Sequence, residues 1–318
     1  MENLTEEIIG GRRLTRNDNL KFLLTTNLEE LCNGANKIRQ ELCGEKVDLC
    51  TIINGRSGKC SENCKFCAQS GHHNTNVKQY DFLDPNIILR DCKRNEVNGV
   101  HRYSIVTAGR SLTGADFDKA VQAYKIMHEE CSVNLCASHG LLSKEEFIRL
   151  KEVGVTMYHA NIETSKNNFP NICTTHSYED KIKIIKLAQK VGLNVCSGGI
   201  IGMGETWEDR IDMAISLSEL EVMSIPINVL MPIKGTPLGN LERISDEDIL
   251  RTIAIFRYLN PTAYIRMAAG RTYFSDGGTQ IFLSGANATI TGDMLTTVGN
   301  NTEQDKIMLT KLGFNILK

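Results

Sequence analysis

The chain has 318 residues, of which 41% are hydrophobic and 23% charged, with a formal net charge of −2. This composition is typical of a globular protein with a sizeable core, and the scattered charges form no basic stripe of the kind that binds nucleic acid. The N-terminal residues lack the apolar run of a signal peptide, and no segment reaches the roughly 18 apolar residues that a membrane span needs, so we expect a cytoplasmic protein without a membrane partner.

Apolar and amphipathic segments alternate along the chain. After a short helical segment at about residues 16–43, eight apolar runs have the length and composition of buried strands. These runs are 47–53, 102–107, 133–138, 157–162, 194–200, 225–231, 263–268 and 280–286. Helical patterns separate them, and the one at 178–192 ends on Gly192, a usual helix stop. The alternation predicts an α/β fold, a (β/α)8 TIM-type barrel, in one domain: a short helical N-terminal extension at 1–45 and the barrel at 46–318.

Eleven cysteines in a chain without an export signal are better explained as metal ligands and buried thiols than as disulfides. Cys60, Cys64 and Cys67 have the spacing CxxxCxxC, just after the first predicted strand. Soft thiolates are the ligands of iron–sulfur clusters, and three of them leave one iron of a 4Fe–4S cluster open. The alternatives are a zinc site or unrelated buried thiols. Structural zinc sites usually add a second ligand pair, and no CxxC or HxxxH follows.

With the aromatic Phe66 directly before Cys67, this motif resembles the signature of radical S-adenosylmethionine (SAM) enzymes. The resemblance implies a 4Fe–4S cluster whose open iron chelates the amine and carboxylate of SAM, with Phe66 among the SAM-binding residues. Reductive cleavage of SAM would give a 5′-deoxyadenosyl radical that abstracts hydrogen from an unreactive carbon, while the protein positions and shields the radical.

Further stretches, from residue 47 to the C-terminal region, resemble the biotin synthase family. They are NGRSGKCSENCKFCAQS, YHANIETS, NICTTHSYEDK, VCSGGIIGMGET, PINVLMPIKGTPL, YIRMAAGR and LSGANATITGDMLTT. This resemblance implies a sulfurtransferase that inserts sulfur into dethiobiotin, with flavodoxin or ferredoxin as the electron donor and a homodimeric assembly.

The resemblance also assigns individual residues. Asn161 and Asn228 match asparagines that hold the ureido ring of dethiobiotin, a role that suits an amide because it both donates and accepts hydrogen bonds. Glu163 takes the place of an acidic residue, usually Asp, that binds the SAM ribose, and Ile200 and Met231 match positions that line the adenine pocket. Without the resemblance, the asparagines would be interpreted as satisfied strand-end amides and the two apolar residues as ordinary core.

Biotin synthases hold a second cluster inside the barrel, and the resemblance assigns it cysteines on strands two, three and five and an arginine on strand seven. Cys136, Cys196 and Arg266 match, but strand two carries Ser104, whose hydroxyl is a poor iron ligand. Cys50, on the neighbouring first strand, is the expected replacement; the alternative is a small buried thiol. We therefore expect a 4Fe-type auxiliary cluster rather than 2Fe–2S, with its remaining iron on Arg266 or on an extra sulfide.

The remaining cysteines have weaker claims. Cys173, on the loop after the fourth predicted strand, is a lesser candidate for the auxiliary cluster, and we expect structural thiols at Cys32, Cys43, Cys92 and Cys131. Other functions stay open. A hydrogenase maturase or a pyrrolysine-pathway mutase would share the barrel and the triad, whereas a non-catalytic iron–sulfur carrier would not need the two asparagines.

Overall fold

The computed structural model describes residues 1–297 and 299–317. Its centre is a closed barrel of parallel strands, in which the last strand pairs with the first. The barrel strands are β1 (Lys46–Arg56), β2 (Arg102–Thr107), β3 (Asn134–Ser138), β4 (Val155–His159), β5 (Asn194–Cys196), β6 (Gly199–Ile201), β7 (Ser224–Val229), β8 (Tyr264–Met267) and β9 (Ala288–Ile290). Because β5 and β6 both pair with β7 and follow each other directly, the nine segments occupy eight positions.

Helices surround this barrel. They are α1 (Glu2–Ile9), α2 (Phe22–Thr25), α3 (Leu28–Cys43), α4 (Pro85–Val97), α5 (Gly114–Glu130), α6 (Lys144–Glu152), α7 (Phe169–Ile172), α8 (Tyr178–Lys190), α9 (Trp207–Glu219), α10 (Asp246–Leu259), α11 (Thr279–Leu283) and α12 (Thr302–Lys311). A short strand, β10 (Asn315–Ile316), pairs with the first two residues of β1, Lys46 and Val47. Among the described residues, no helix is both long and apolar enough to cross a membrane.

The helices begin and end where their sequences provide caps. Ser143, Ser177 and Thr206 each start a helix with a capping box, in which a hydroxyl accepts from the backbone three residues on and an acidic side chain returns the bond. The predicted stop at Gly192 is confirmed: α8 ends at Lys190 and Gly192 has φ +82°, the left-handed region that favours glycine. Each capped helix thus returns the chain to the start of the next strand.

Two predicted strands differ in the structure. The run 194–200 is split at Gly198, where the backbone passes so close to β7 that a Cβ would lie 1.9 Å from the carbonyl oxygen of Pro226. The prediction of a strand at 280–286 was wrong: most of these residues form α11, and the eighth barrel position is filled by β9. Ile281 and Phe282 are fully buried on this helix, and a short apolar run fits a buried helix or a buried strand equally well.

The predicted N-terminal extension is helical, but its first helix lies before the predicted helical span of about 16–43. The expected helix at about 16–43 is present as α2 and α3, but α1 precedes them. Arg251 on α10 joins this extension to the barrel, because its Nη1 donates to the carbonyl oxygens of Leu23 and Thr26 at 3.0 and 2.9 Å. The extension therefore packs on the outside of the barrel, away from its interior.

Candidate active site

A cavity of ≈ 400 Å³ extends from the carboxyl ends of the strands into the barrel interior. This volume lies in the range of pockets that enclose small organic ligands. Successive inward-facing positions, two residues apart on each strand, form its wall. Six of the eleven cysteines line it: Cys50, Cys60, Cys64, Cys67, Cys136 and Cys196. The four cysteines expected to be structural, Cys32, Cys43, Cys92 and Cys131, do not.

The loop after β1 carries the predicted triad. Backbone hydrogen bonds fold this loop on itself: the N–H of Cys60 donates to Gln69 at 3.0 Å, and that of Cys67 donates to Cys64 at 3.0 Å. Among the described residues, the three triad sulfurs do not all lie within 4.8 Å of one another. Two thiolates on one zinc ion can be no more than about 4.6 Å apart, twice the metal–sulfur distance. The triad thus fits a multi-iron cluster better than a single ion.

An apolar wall stands beside the triad. Phe66 and Ile200 pack against a small buried cluster that contains Met203 and Leu230, and Met231 lines the cavity next to it. Burial here raises the pKa of the Cys67 thiol to about 11. The wall is suited to a flat aromatic group such as a nucleobase, because it offers apolar surface without competing polar groups.

Glu163 lines the cavity in a strained backbone conformation, with φ +68°. A non-glycine residue in this region costs about 1–3 kcal/mol and is most often found at functional sites. The turn is held by its neighbours: the N–H of Glu163 donates to Gly198 at 3.1 Å, and that of Ile200 donates to Glu163 at 2.9 Å. A Cβ at position 199 would lie 2.4 Å from the carbonyl oxygen of Glu163, so Gly199 is required for this close approach.

Asn161 and Asn228 both face the cavity at the ends of their strands. The Asn161 amide donates to the Glu163 carboxylate at 3.3 Å and accepts from the N–H of Gly198 at 3.0 Å. The Asn228 amide donates to the carbonyl of Gly199 and accepts from the N–H of Ala269, both at 3.2 Å. Each amide is therefore oriented by the protein and keeps one N–H and one lone pair for a ligand.

Deeper in the barrel, the strand cysteines come together. Cys136 and Cys196 belong to one small buried cluster with Met157, and Cys50 lines the same cavity. Cys50 lies opposite Arg102 in the strand register, and Ser104 lies opposite Cys136. Cys50 and Ser104 thus both reach the cavity, so position alone does not decide which of them is the missing ligand. The difference between them is chemical, a thiol against a hydroxyl.

A charged network closes the inner end. The buried Asp48 carboxylate accepts from Arg266 Nη2 at 2.7 Å, from Arg102 Nε at 3.2 Å and from His101 Nε2 at 3.2 Å. Burial opposes ionisation of Asp48, but Arg266 and its other partners outweigh it and hold the pKa of this carboxyl well below its usual range. Burial alone would lower the pKa of Arg266, but the charge of Asp48 outweighs this and raises that pKa, so the guanidinium stays charged.

The two arginines also face the thiols. Arg102 Nη1 lies 3.6 Å from the Cys136 sulfur. Burial raises the pKa of Cys50, Cys136 and Cys196, and the positive charges of the arginines offset this only in part. A bound metal centre would reverse this balance, because coordination deprotonates a thiol and the resulting negative charge has two cations beside it.

Several site residues were missed from the sequence. Arg102 and Asp48 each lie two positions before a candidate ligand, so the alternation of side chains along a strand could have placed both on the inner side of the barrel. His159, which also lines it, lies opposite Cys196 in the register and could have been found in the same way. Cys173 lies beside Cys64, with 3.6 Å between the sulfurs, rather than with the strand cysteines. No local sequence signal indicates that contact, because 109 positions separate the two residues.

Comparison with known proteins agrees with this architecture. The pattern of the Radical SAM superfamily matches residues 56–217, which include the loop triad, and that of the Biotin and Thiamin Synthesis associated domain matches residues 226–315. The chain is therefore a radical SAM enzyme.

Full-length relatives define the family more narrowly. Biotin synthase of Clostridium beijerinckii is 81% identical over 316 residues, covering 99% of this chain and 100% of the relative. Biotin synthase of Alkaliphilus metalliredigens is 65% identical over 99% of both chains, and that of Akkermansia muciniphila is 49% identical over 99% of this chain and 98% of the relative. The chain belongs to the biotin synthase family.

Solved structures confirm the predicted (β/α)8 barrel. Methylornithine synthase (PylB) superposes with a TM-score of 0.85 at 21% identity, covering 99% of this chain and 97% of that one. The FeFe-hydrogenase maturase HydG superposes with a TM-score of 0.84 at 16% identity, covering 99% of this chain and 74% of that one. At these identities the likeness concerns the fold alone.

Proposed function

We propose that this chain converts dethiobiotin to biotin, using SAM at the loop triad and sulfur from a second iron–sulfur centre inside the barrel. One observation carries the proposal: a single cavity is lined by two separate groups of cysteines, with two oriented asparagine amides at the strand ends. A carrier protein would have no use for the amides, and a radical SAM enzyme without sulfur transfer would have no use for the inner thiols.

The triad is proposed to hold a 4Fe–4S cluster through Cys60, Cys64 and Cys67. When bound, such a cluster would supply the electron for the reductive cleavage of SAM. Glu163 is proposed to accept hydrogen bonds from the ribose hydroxyls, which would explain why a strained backbone is retained there. Phe66, Ile200 and Met231 are proposed to contact the adenine through the apolar wall.

The substrate is proposed to bind by its ureido ring between Asn161 and Asn228. A cyclic urea presents one acceptor and two N–H donors, and the two amides together have spare groups of both kinds. Because each amide is already fixed by two protein hydrogen bonds, little side-chain freedom would be lost on binding.

The inner centre is proposed to be bound by Cys50, Cys136 and Cys196. Three buried thiols and two facing arginines suit a negatively charged cluster. Arg266 is less suited to bind iron itself, because Nη1 donates to the carbonyl of Thr289 at 2.9 Å and Nη2 to Asp48. We therefore propose a 4Fe-type centre with an extra sulfide on its remaining iron, and Arg266 as a charge partner.

Family resemblance supports three further proposals: flavodoxin or ferredoxin as the electron donor, a homodimer, and a cytoplasmic location. The direct test of function is anaerobic reconstitution with iron and sulfide, followed by SAM, dithionite and dethiobiotin. We expect 5′-deoxyadenosine and biotin. An iron–sulfur carrier would release no 5′-deoxyadenosine, and a maturase or mutase would cleave SAM without forming biotin; either result would overturn the proposal.

A further inference from the structure

A third group of metal-ligating side chains shares Cys64 with the loop triad and contains none of the inner thiols. The sulfur of Cys173 lies 3.6 Å from that of Cys64 and 3.4 Å from Nδ1 of His176. The ligand atoms of these three residues all lie within 4.8 Å of one another. Cys64 and His176 also line the cavity, whereas Cys173 does not, so the group lies at the cavity wall where two loops meet.

The distances match the edges of a tetrahedral metal site. Metal–sulfur bonds of about 2.3 Å and metal–nitrogen bonds of about 2.0–2.1 Å place two sulfurs about 3.8 Å apart and a sulfur and a nitrogen about 3.5 Å apart. Thiolate and imidazole are also the ligands that zinc and its neighbours prefer. One cation could therefore be bound with only small movements of the side chains.

The surroundings hold this geometry in place. Asn63 Oδ1 accepts from the backbone N–H of Thr174 and Thr175 at 3.0 and 3.3 Å, which joins the loop after α7 to the triad loop. The Glu62 carboxylate lies 2.5 Å from His176 Nδ1, with both side chains almost fully buried. A cation on Nδ1 would replace the proton of that hydrogen bond and then face the carboxylate. The negative charge of Glu62 so close to the site favours a bound cation.

We propose that Cys64, Cys173 and His176 bind one thiophilic divalent cation, such as Zn2+, in the cluster-free chain. Binding in this way uses Cys64, which the proposed 4Fe–4S cluster also needs, so the cation and the cluster exclude each other. The site belongs to the newly folded or cluster-depleted protein. Only this exclusion depends on the proposed role of the triad; the binding itself does not.

The test is a titration of the cluster-free, full-length chain with Co2+ under anaerobic conditions, followed by the visible absorption of tetrahedral, thiolate-bound cobalt. Cys173→Ala and His176→Ala should each weaken binding by more than the roughly 10–100-fold that loss of an outer-shell partner costs. Cys67→Ala is the matched control: it removes a triad thiol outside the group and should leave the affinity and spectrum unchanged.

Two outcomes would overturn the site: unchanged cobalt affinity in Cys173→Ala, or an equal loss in Cys67→Ala, which would mean that the triad itself binds cobalt. Circular dichroism confirms the fold of each variant, and Cys173→Ser, which replaces a soft ligand by a hard one at nearly constant size, decides the question if Cys173→Ala does not fold.

The mutual exclusion of the cation and the triad cluster can be measured separately. One equivalent of Zn2+ added before iron and sulfide should slow formation of the triad cluster's absorption in the wild-type chain but not in Cys173→Ala. Equal inhibition in both chains would contradict the exclusion. A wild-type chain that bound cobalt as expected but made no biotin would instead refute the proposed function and leave the cation site intact.

Discussion

The two groups of cysteines that share the cavity reach it in different ways. Cys60, Cys64 and Cys67 lie within one loop that folds on itself, so their arrangement depends on local spacing. Cys50, Cys136 and Cys196 lie on three separate strands and meet because the barrel closes. The first arrangement tolerates changes elsewhere in the fold, whereas the second depends on the register of every strand between its members.

Their surroundings differ as well. The loop thiols are half-buried near the mouth, whereas Cys50, Cys136 and Cys196 are 6%, 4% and 9% exposed. The inner group has Arg102 and Arg266 beside it, fixed by the buried Asp48. A buried negative cluster needs such cations because water cannot stabilise its charge. Loop spacing therefore defines the outer site, whereas the inner site also requires a charge network.

The largest effect should come from the outer group. Cys60→Ala, Cys64→Ala and Cys67→Ala should each abolish 5′-deoxyadenosine formation, because the proposed cluster would lose one of its three cysteine ligands. The fold should persist, since loop thiols contribute little to the core. The measurement is product analysis after anaerobic reconstitution, with Cys92→Ala, a buried thiol outside the cavity, as the active control. Retained SAM cleavage in two of the three triad variants would contradict the assignment.

Loss of an inner cysteine should stop biotin formation but leave SAM cleavage. Cys50→Ala should lose about one cluster's worth of iron and sulfide and stop biotin formation, while slow 5′-deoxyadenosine formation continues at the mouth. Ser104→Ala should keep its cluster content, because removing an unligated hydroxyl costs at most a hydrogen bond, about 0.5–1.5 kcal/mol. The reverse pattern in iron, sulfide and product assays would show that the hydroxyl is the ligand.

The charge network can be broken directly. Asp48→Asn removes the partner of the buried Arg266 and of the partly buried Arg102, and breaking a buried ion pair typically costs about 3–5 kcal/mol of the free energy of unfolding. Urea unfolding measures this loss in the free energy of unfolding. Asp246→Asn is the control, because Asp246 pairs with Arg243 at the surface and such pairs contribute about 0–1 kcal/mol. Equal effects of the two substitutions would show that the inner network is unimportant for stability.

A smaller effect is expected at the two asparagine amides, which lie between the two cysteine groups. Asn228→Ala should weaken dethiobiotin binding by about tenfold or more, because an unpaired ureido group costs about 1–3 kcal/mol. Cleavage of SAM without substrate should be unaffected. Asn194→Ala serves as the control, because Asn194 is exposed and lies at the start of β5, whereas the amides lie near the carboxyl ends of the strands. Unchanged affinity in both Asn228→Ala and Asn161→Ala would refute the role.

The sequence predicted the features that repeat or lie close together in the chain. The alternation of apolar runs with helical patterns predicted the barrel and most of its strands, and the CxxxCxxC spacing predicted the loop triad. It failed at 280–286, because a short apolar run does not distinguish helix from strand. It also failed for the contact between Cys64 and Cys173, which depends on two loops meeting in space. The arginine network was missed because charged residues are rarely buried unless paired, and the pairing of Asp48 with Arg266 is visible only once the barrel closes.

The most direct test of two iron centres at different depths is anomalous iron diffraction from crystals of anaerobically prepared, cluster-loaded protein. We expect two centres in one cavity. One should lie at Cys60, Cys64 and Cys67, and the other should be bound by the three inner thiols, Cys50 among them, with the hydroxyl of Ser104 away from iron. A single iron centre, or an inner centre bound by Ser104 with Cys50 unligated, would contradict the account.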